Sequence, residues 1–172
     1  DSCRFAAATG RMPRVPGELH PFLSHFAVAL LVVGPACDAL GVALHRESFL
    51  HAGRWNTLVG AAFAALALAS GLAARATLGP HGPAGEALLN LHGGLAWVLA
   101  CGWAPVAIWR AVARSPLPSR LRTVYLALAF TGAIACVGDG LLGSALVYRH
   151  GLGIAPAGRA EPLPKPATID KP

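Results

Sequence analysis

Residues 19–35, LHPFLSHFAVALLVVGP, decide the fold of this chain. One histidine precedes a proline, a second histidine follows five residues after the first, and an uninterrupted apolar run then begins. Proline suits the first turn of a helix, where its missing N–H would have no partner in any case. The stretch therefore predicts a membrane-spanning helix with His20 at its N-terminal cap and His25 about one turn deeper.

The composition places the whole chain among membrane proteins. Of its 172 residues, 55% are hydrophobic and only 13% are charged, whereas soluble domains carry about 25% charged residues. A bilayer core requires about 20 mostly apolar residues per helix, and four runs near that length occur. We therefore predict an all-α integral membrane four-helix bundle with spans at about residues 21–44, 55–74, 87–109 and 123–147.

The segments outside the spans define the predicted domain organisation. Residues 1–18 show no sustained period and are expected to form an extended lead-in before the transmembrane domain, residues 19–150. Residues 151–172 are rich in proline and are expected to form an extended tail that cannot fold alone. No basic-then-apolar signal segment precedes the first span, so either the start is processed or the first helix directs its own insertion.

Arginine in two short loops predicts the orientation. Residues 45–54 and 110–122 together contain six arginines and one acid, Glu47, and short loops of this kind are normally cytoplasmic. We predict a multi-pass protein of the bacterial inner membrane with both termini in the periplasm. Nucleic-acid binding is not expected despite the formal charge of +6, because the arginines flank apolar spans instead of forming a basic face interleaved with aromatic residues.

This topology gathers five of the seven histidines at one end of the bundle, namely His20, His25, His81, His92 and His150. Imidazoles in a membrane are costly unless they are paired, so such a cluster predicts a functional site. Two neutral imidazoles from facing helices can hold a haem iron. Because no C-x-x-C-H motif occurs, the sequence predicts haem b bound without a covalent link.

We predict His25 and His92 as the axial ligands, since both lie about one turn inside their helices. His20 and His150 would ligate a second haem or hydrogen-bond a ligand or a propionate. Gly93 and Gly94 would let the helices approach the ring. Two charged residues complete the candidate site, Arg149 beside a propionate and Asp139 between two glycines. Asp139 could orient His150 or His25, join a proton path or lock the helix packing.

Two further features of the spans leave alternatives open. Asp38 lies within the first span and needs a partner, for which Asn56, Thr57, Ser70 or water are candidates. Cys37, Cys101 and Cys136 are expected at a similar depth, where thiols could bind Cu(I). Apolar packing is the better interpretation of the cysteines, because buried cysteine behaves as a small hydrophobe.

Two motifs frame the predicted bundle. Residues 19–30, LHPFLSHFAVAL, open it, and residues 146–154, LVYRHGLGI, close it. They are similar to the Leu-His-Pro…Val-His-Phe-Pro-Ile-Ala-Leu opening and the Gly-Gly-x-Leu-Val-Tyr-x-His-Gly-x-Gly-Val ending of the DUF2231 family of predicted bacterial four-helix membrane proteins. Ala27 replaces the usual proline, and residues 143–145 replace part of the glycine pair. The resemblance implies the fold and, since such domains also occur fused to cytochrome-like modules, a haem or redox role without an established reaction.

Two functions of different classes remain. The first is a haem b electron-transfer subunit, itself not catalytic, that passes electrons from a membrane donor such as a quinol to a periplasmic acceptor within a larger complex. The alternative is a cofactor-free structural or assembly subunit, whose Ala- and Gly-rich second helix and proline-rich tail bind other subunits. No Ser-His-Asp order, paired carboxylates or phosphate-binding glycine loop indicates independent catalysis.

Overall fold

The computed structural model describes residues 15–113 and 119–153, and this part of the chain forms four helices without a strand. The helices are α1 (Val15–Leu44), α2 (Glu47–Ala76), α3 (Pro83–Val112) and α4 (Ser119–His150). Each is long and apolar enough to cross a membrane. The all-α four-helix membrane fold predicted from the apolar runs is therefore confirmed.

Every helix extends beyond its predicted span. The helix α1 begins at Val15, inside the segment expected to be an extended lead-in, and α2 begins at Glu47, inside the expected polar turn. Helices of 30 residues are about 45 Å long, which exceeds the roughly 30 Å hydrocarbon core. The apolar runs predict only the part within lipid, because polar residues continue each helix. Residues 1–14 and 154–172 lie outside the described part of the chain.

The four helices form an up-down-up-down bundle. Each helix packs against its neighbours in sequence and α4 closes the ring against α1, whereas the diagonal pairs α1–α3 and α2–α4 have no close backbone contacts within the described ranges. Only two residues connect α1 to α2. His45 takes a positive φ of 52°, and the Arg46 N–H donates to the Gly41 carbonyl at 3.0 Å, which ends α1 in a Schellman-type turn.

The bundle interior is apolar in the middle and polar towards both ends. A central core is formed by Leu31, Trp103, Tyr125, Ala129, Ala133 and Cys136. We call the end with the starts of α1 and α3 the histidine end, and the opposite end the arginine end. Large apolar side chains such as Val98 and Ile134 cover the outside, as expected for helices that face lipid.

Candidate functional site

The histidine end brings two imidazoles together on the bundle axis. The rings of His20 on α1 and His92 on α3 have centres 6.2 Å apart and planes inclined by 69°. Because α1 and α3 are diagonal in the bundle, the two side chains reach each other across its interior. This end of the bundle is therefore the candidate functional site.

Both imidazoles are held through the same ring nitrogen. His20 Nδ1 lies 2.9 Å from the Ala67 carbonyl oxygen on α2, and His92 Nδ1 lies 2.7 Å from Asp139 Oδ1 on α4. A carbonyl and an ionised carboxylate only accept hydrogen bonds, so each Nδ1 donates. In the neutral form of each ring the Nε2 atom then carries the lone pair, and neither Nε2 has a hydrogen-bond partner among residues 15–113 and 119–153.

Two glycines bring backbone close to the rings. A Cβ atom added at Gly71 would lie 2.9 Å from His20 Cε1, and one added at Gly143 would lie 3.4 Å from His92 Cε1. The backbones of α2 and α4 therefore approach the pair closely. Gly93 and Gly94, which we predict to let a helix approach a haem, do not contact the imidazoles, because a Cβ at Gly94 meets nothing within 4 Å and one at Gly93 meets only Arg75, at 3.7 Å.

A cavity of about 70 Å³ extends from His20 towards the core. Its polar lining consists of His20, Ser24, Cys136 and Asp139, and the rest is apolar. Although one water molecule occupies only about 30 Å³ in the liquid, water is stable here only beside the polar members of the lining, because apolar cavities stay empty. The cavity is therefore a mostly apolar space that adjoins His20.

His25, which we predicted as an axial ligand, does not join His92. It is exposed, and its Nδ1 bonds to the Pro21 carbonyl of its own helix. The reason is helical geometry: five residues at about 100° each turn His25 about 140° away from His20. The structure thus pairs His92 with His20, a residue expected to have a secondary role.

The remaining predicted site residues either lie exposed at the end of α4 or bond to a partner other than those considered. Arg149 and His150 are exposed at the end of α4, and a Cβ added at Gly85 would lie 3.7 Å from the His150 ring. The Asp139 carboxylate bonds to His92 of α3, and not to His150 or His25, the two histidines that the sequence offered as partners.

The arginine end contains a second polar cluster, which sequence analysis missed. Arg110 Nη2 lies 2.8 Å from Asp38 Oδ1 and 2.7 Å from the Leu50 carbonyl oxygen, and the Tyr125 hydroxyl donates to Asp38 Oδ2. The end of the apolar run at Trp109 predicts a loop at Arg110, but α3 continues to Val112. The available signal was Asp38 itself, a buried acid without an assigned partner.

The loop between α2 and α3 holds a surface cluster. His81 Nδ1 lies 2.8 Å from the Gly79 carbonyl oxygen, and its Nε2 bonds to Glu86, which also pairs with Arg75 at 2.9 Å. Both ring nitrogens donate only when the imidazole is protonated. The Gly79 carbonyl, together with the Glu86 carboxylate, raises the pKa of His81 above its ordinary 6.5.

Protein ligands for a metal are few. No group of three or more His, Cys, Asp or Glu side chains is arranged to hold an ion within the described ranges. Cys136 is buried and accepts a hydrogen bond from Trp103 Nε1 at 3.3 Å, whereas Cys101 is exposed and Cys37 is half-buried. The His20–His92 pair thus offers two ring nitrogens, and one thiol, Cys136, lines the cavity next to His20.

Fold and site together define a four-helix membrane protein with a polar cluster at each end of its interior. The chain belongs to the DUF2231 family, described as a predicted membrane protein, whose family model matches residues 16–156. The resemblance inferred from the two terminal motifs is therefore confirmed. Neither the curated proteins nor the solved structures include a significant match to this chain.

Proposed function

We propose that this protein is a membrane electron-transfer subunit of a larger redox complex, and that His20 and His92 are the ligands of its metal centre. The observation that carries this proposal is the pair of imidazoles with ring centres 6.2 Å apart. A metal bound between two opposed ring nitrogens, at about 2 Å from each, separates the ring centres by about 6 Å. The ring-centre separation in the structure is of this size, and the proposal requires in addition that the two Nε2 atoms face each other.

The hydrogen bonds around the pair also suit metal binding. Metal-ligating histidines generally donate their other N–H to a carboxylate or a backbone carbonyl, which orients the ring. Asp139 does this for His92 and the Ala67 carbonyl does it for His20. Both Nε2 atoms are thereby prepared as ligands before any ion binds.

Haem b, the cofactor predicted from the sequence, matches the two nitrogen ligands but not the space around them. The adjoining cavity of about 70 Å³ is several-fold smaller than the roughly 300–1,000 Å³ of pockets for drug-sized ligands. A macrocycle bound between the rings would therefore require the surrounding helices to move apart, and haem b stays a prediction. The proposal of a metal centre therefore rests on the two imidazoles and not on the space around them.

The orientation in the proposed role follows the distribution of arginine. Arg110 is buried, but Arg46, Arg54, Arg120 and Arg122 remain at the arginine end and favour a cytoplasmic position. The histidine end would then face the periplasm of a bacterial inner membrane. A quinol in the bilayer is the proposed electron donor, and a periplasmic subunit of the complex is the proposed acceptor.

Purified protein from metal-replete cells tests this function. Elemental analysis, a pyridine haemochrome assay and a redox titration would be applied to the wild type and to three variants. We expect about one redox-active centre per wild-type chain, its loss in His20→Ala and His92→Ala, and its retention in His25→Ala. A folded wild-type chain without any redox-active centre would overturn the proposal.

A cofactor-free assembly subunit is the second candidate function. The arginine-end cluster favours it, because Asp38 and Arg110 are satisfied by groups from all four helices and therefore have a structural role without a ligand. If the protein is an assembly subunit, the double variant His20→Ala with His92→Ala would leave electron flow in the complex unchanged. Removal of residues 154–172 would instead release the subunit from its partners.

A further inference from the structure

We infer that the lipid-facing side of α1 around His25 binds the head group of a quinol, an inference that rests on the electron-transfer role proposed above. His25 belongs to the same sequence motif as His20 but takes no part in the imidazole pair. Three features lead to the inference: the depth of His25 in the membrane, the free acceptor atom on its ring and the aromatic side chains beside it.

The first feature is the depth of His25. The apolar span of α1 covers Leu19–Leu44, which is 26 residues and therefore about 39 Å of helix. This length exceeds the roughly 30 Å hydrocarbon core, so a span centred in the bilayer places His25 a few ångströms inside the boundary of that core. Because the His25 side chain is exposed on the outside of the bundle, it faces lipid.

The second feature is a ring nitrogen without a hydrogen-bond donor. His25 Nδ1 bonds to the Pro21 carbonyl oxygen, which only accepts hydrogen bonds, so the neutral ring keeps its lone pair on Nε2. Within residues 15–113 and 119–153 that Nε2 atom has no hydrogen-bond partner. A polar group without a partner in lipid is costly, and lipid tails contain no donor. A ligand that donates from an O–H group is therefore favoured at this position.

The third feature is a row of three aromatic rings. Phe22 and Phe26 lie three residues before and one residue after His25 on α1. Their ring centres are 5.0 Å apart, and Phe26 stacks on Phe63 of α2 with 5.1 Å between the ring centres. Phe22 is 58% exposed and Phe26 is 42% exposed, so part of each ring is open to a ligand in the bilayer. Since aromatic pairs gain free energy beyond the area that they bury, the row favours an aromatic head group over a lipid tail.

A quinol meets all these requirements. Its head group is aromatic, its hydroxyl groups donate hydrogen bonds, and its apolar tail keeps it in the bilayer. His25 also lies only about 7.5 Å along α1 from His20, a ligand of the proposed redox centre. A phospholipid ammonium group donates to Nε2 as well, but it brings no ring to the phenylalanines. The oxidised quinone lacks O–H donors, so a site built around the Nε2 acceptor should prefer the quinol.

Binding would be measured on the full chain in nanodiscs of phosphatidylcholine, a lipid without N–H or O–H donors. The probe is a decyl-substituted benzoquinol, and the corresponding quinone is the comparison ligand. Nitrogen-15 NMR of labelled histidine records whether His25 Nε2 gains a hydrogen bond. We expect saturable binding of the quinol, a shift of the Nε2 resonance and an affinity about fivefold higher than that of the quinone, which is the effect of one hydrogen bond.

Two results would overturn the quinol site. The first is equal affinity for the quinol and the quinone. The second is an Nε2 resonance that shifts on addition of phosphatidylethanolamine but not on addition of the quinol, because a lipid head group would then be the ligand of His25.

Variants at the site refine the test. His25→Ala should weaken quinol binding about fivefold, whereas His25→Gln, whose side-chain carbonyl accepts a hydrogen bond, should recover most of the affinity. Phe22→Leu removes one ring and should weaken binding about threefold. His51→Ala is the matched control, because His51 is an exposed histidine at the arginine end. Equal effects of His25→Ala and His51→Ala would contradict the site, and circular dichroism verifies that each variant is folded.

The outcomes separate this inference from the proposed function. His25→Ala should keep the redox centre while it loses quinol affinity, since His25 does not belong to the His20–His92 pair. A redox-active centre in a chain that binds no quinol overturns the quinol site but leaves the electron-transfer role with another donor. Quinol binding at His25 in a chain without a redox-active centre supports the site and overturns the electron-transfer role.

Discussion

Arg110 Nη2 lies 2.8 Å from Asp38 Oδ1 across the bundle axis, and each side chain is only 2% exposed. The two residues belong to diagonal helices that have no close backbone contact within the described ranges. The Leu50 carbonyl and the Tyr125 hydroxyl complete the cluster. One group from each helix thus meets at a single point, just as His20, Ala67, His92 and Asp139 do at the histidine end.

Removing one member of this ion pair should destabilise the bundle strongly. In Arg110→Met the Asp38 carboxylate stays buried without its counter-charge, and breaking a buried pair in this way costs about 3–5 kcal/mol. The double variant Asp38→Asn with Arg110→Met removes both charges and keeps an acceptor for Tyr125, so it should recover much of the loss. Unfolding by denaturing detergent measures both values. The single variant Asp38→Asn completes the cycle, and additive destabilisation in the double variant would show that the pair is not coupled.

The packing of α1 against α2 should depend on Gly53. A Cβ atom added there would overlap the Asp38 carboxylate, which the ion pair prevents from moving aside. We expect Gly53→Ala to lower the free energy of unfolding by about 1–3 kcal/mol, the usual effect of overpacking. Gly102→Ala is the matched control, because its added Cβ meets nothing within 4 Å. Equal stability of the two variants would contradict the close approach.

Metal binding at the histidine end should depend on Gly71. Its added Cβ would lie 2.9 Å from His20 Cε1, so Gly71→Ala must displace the ring from its bond to the Ala67 carbonyl. We expect metal affinity to fall about tenfold, as for other losses of ligand orientation. Gly94→Ala should bind metal like the wild type, since open space surrounds that position. The reverse result would restore the original assignment of Gly94 to the site.

The loop between α2 and α3 should loosen as the pH rises. The Gly79 carbonyl and the Glu86 carboxylate raise the pKa of His81 above 6.5, so the protonated ring is favoured in the folded loop. Its contribution to stability is complete below the unfolded pKa and is lost as the pH rises through the higher folded pKa. Carbon-13 NMR of labelled histidine in micelles would follow this titration. We expect Glu86→Gln to move the pKa back towards 6.5, and a wild-type pKa at or below 6.5 would contradict the contacts.

The amino-acid sequence by itself determined the number of crossings and the end at which the histidines gather. Four apolar runs of bilayer length require four helices, because each backbone must satisfy its own hydrogen bonds in lipid. Short connections then alternate the helix directions, so His20 and His92 reach the same end without any knowledge of packing. The position of Asp38 within an apolar run likewise showed that this acid needs a partner, because a charged group in lipid is costly.

Only the tertiary structure decided which side of each helix faces the interior. Lipid and the bundle interior are both apolar, so hydrophobic periodicity does not distinguish the inward face of a membrane helix as it does in a soluble protein. Depth along the helix therefore favoured His25 as the partner of His92. The direction in which each side chain points around the helix axis instead selects His20. Arg110 was missed for a related reason: the end of an apolar run says nothing about whether the next charged side chain turns inward to meet an acid from a diagonal helix.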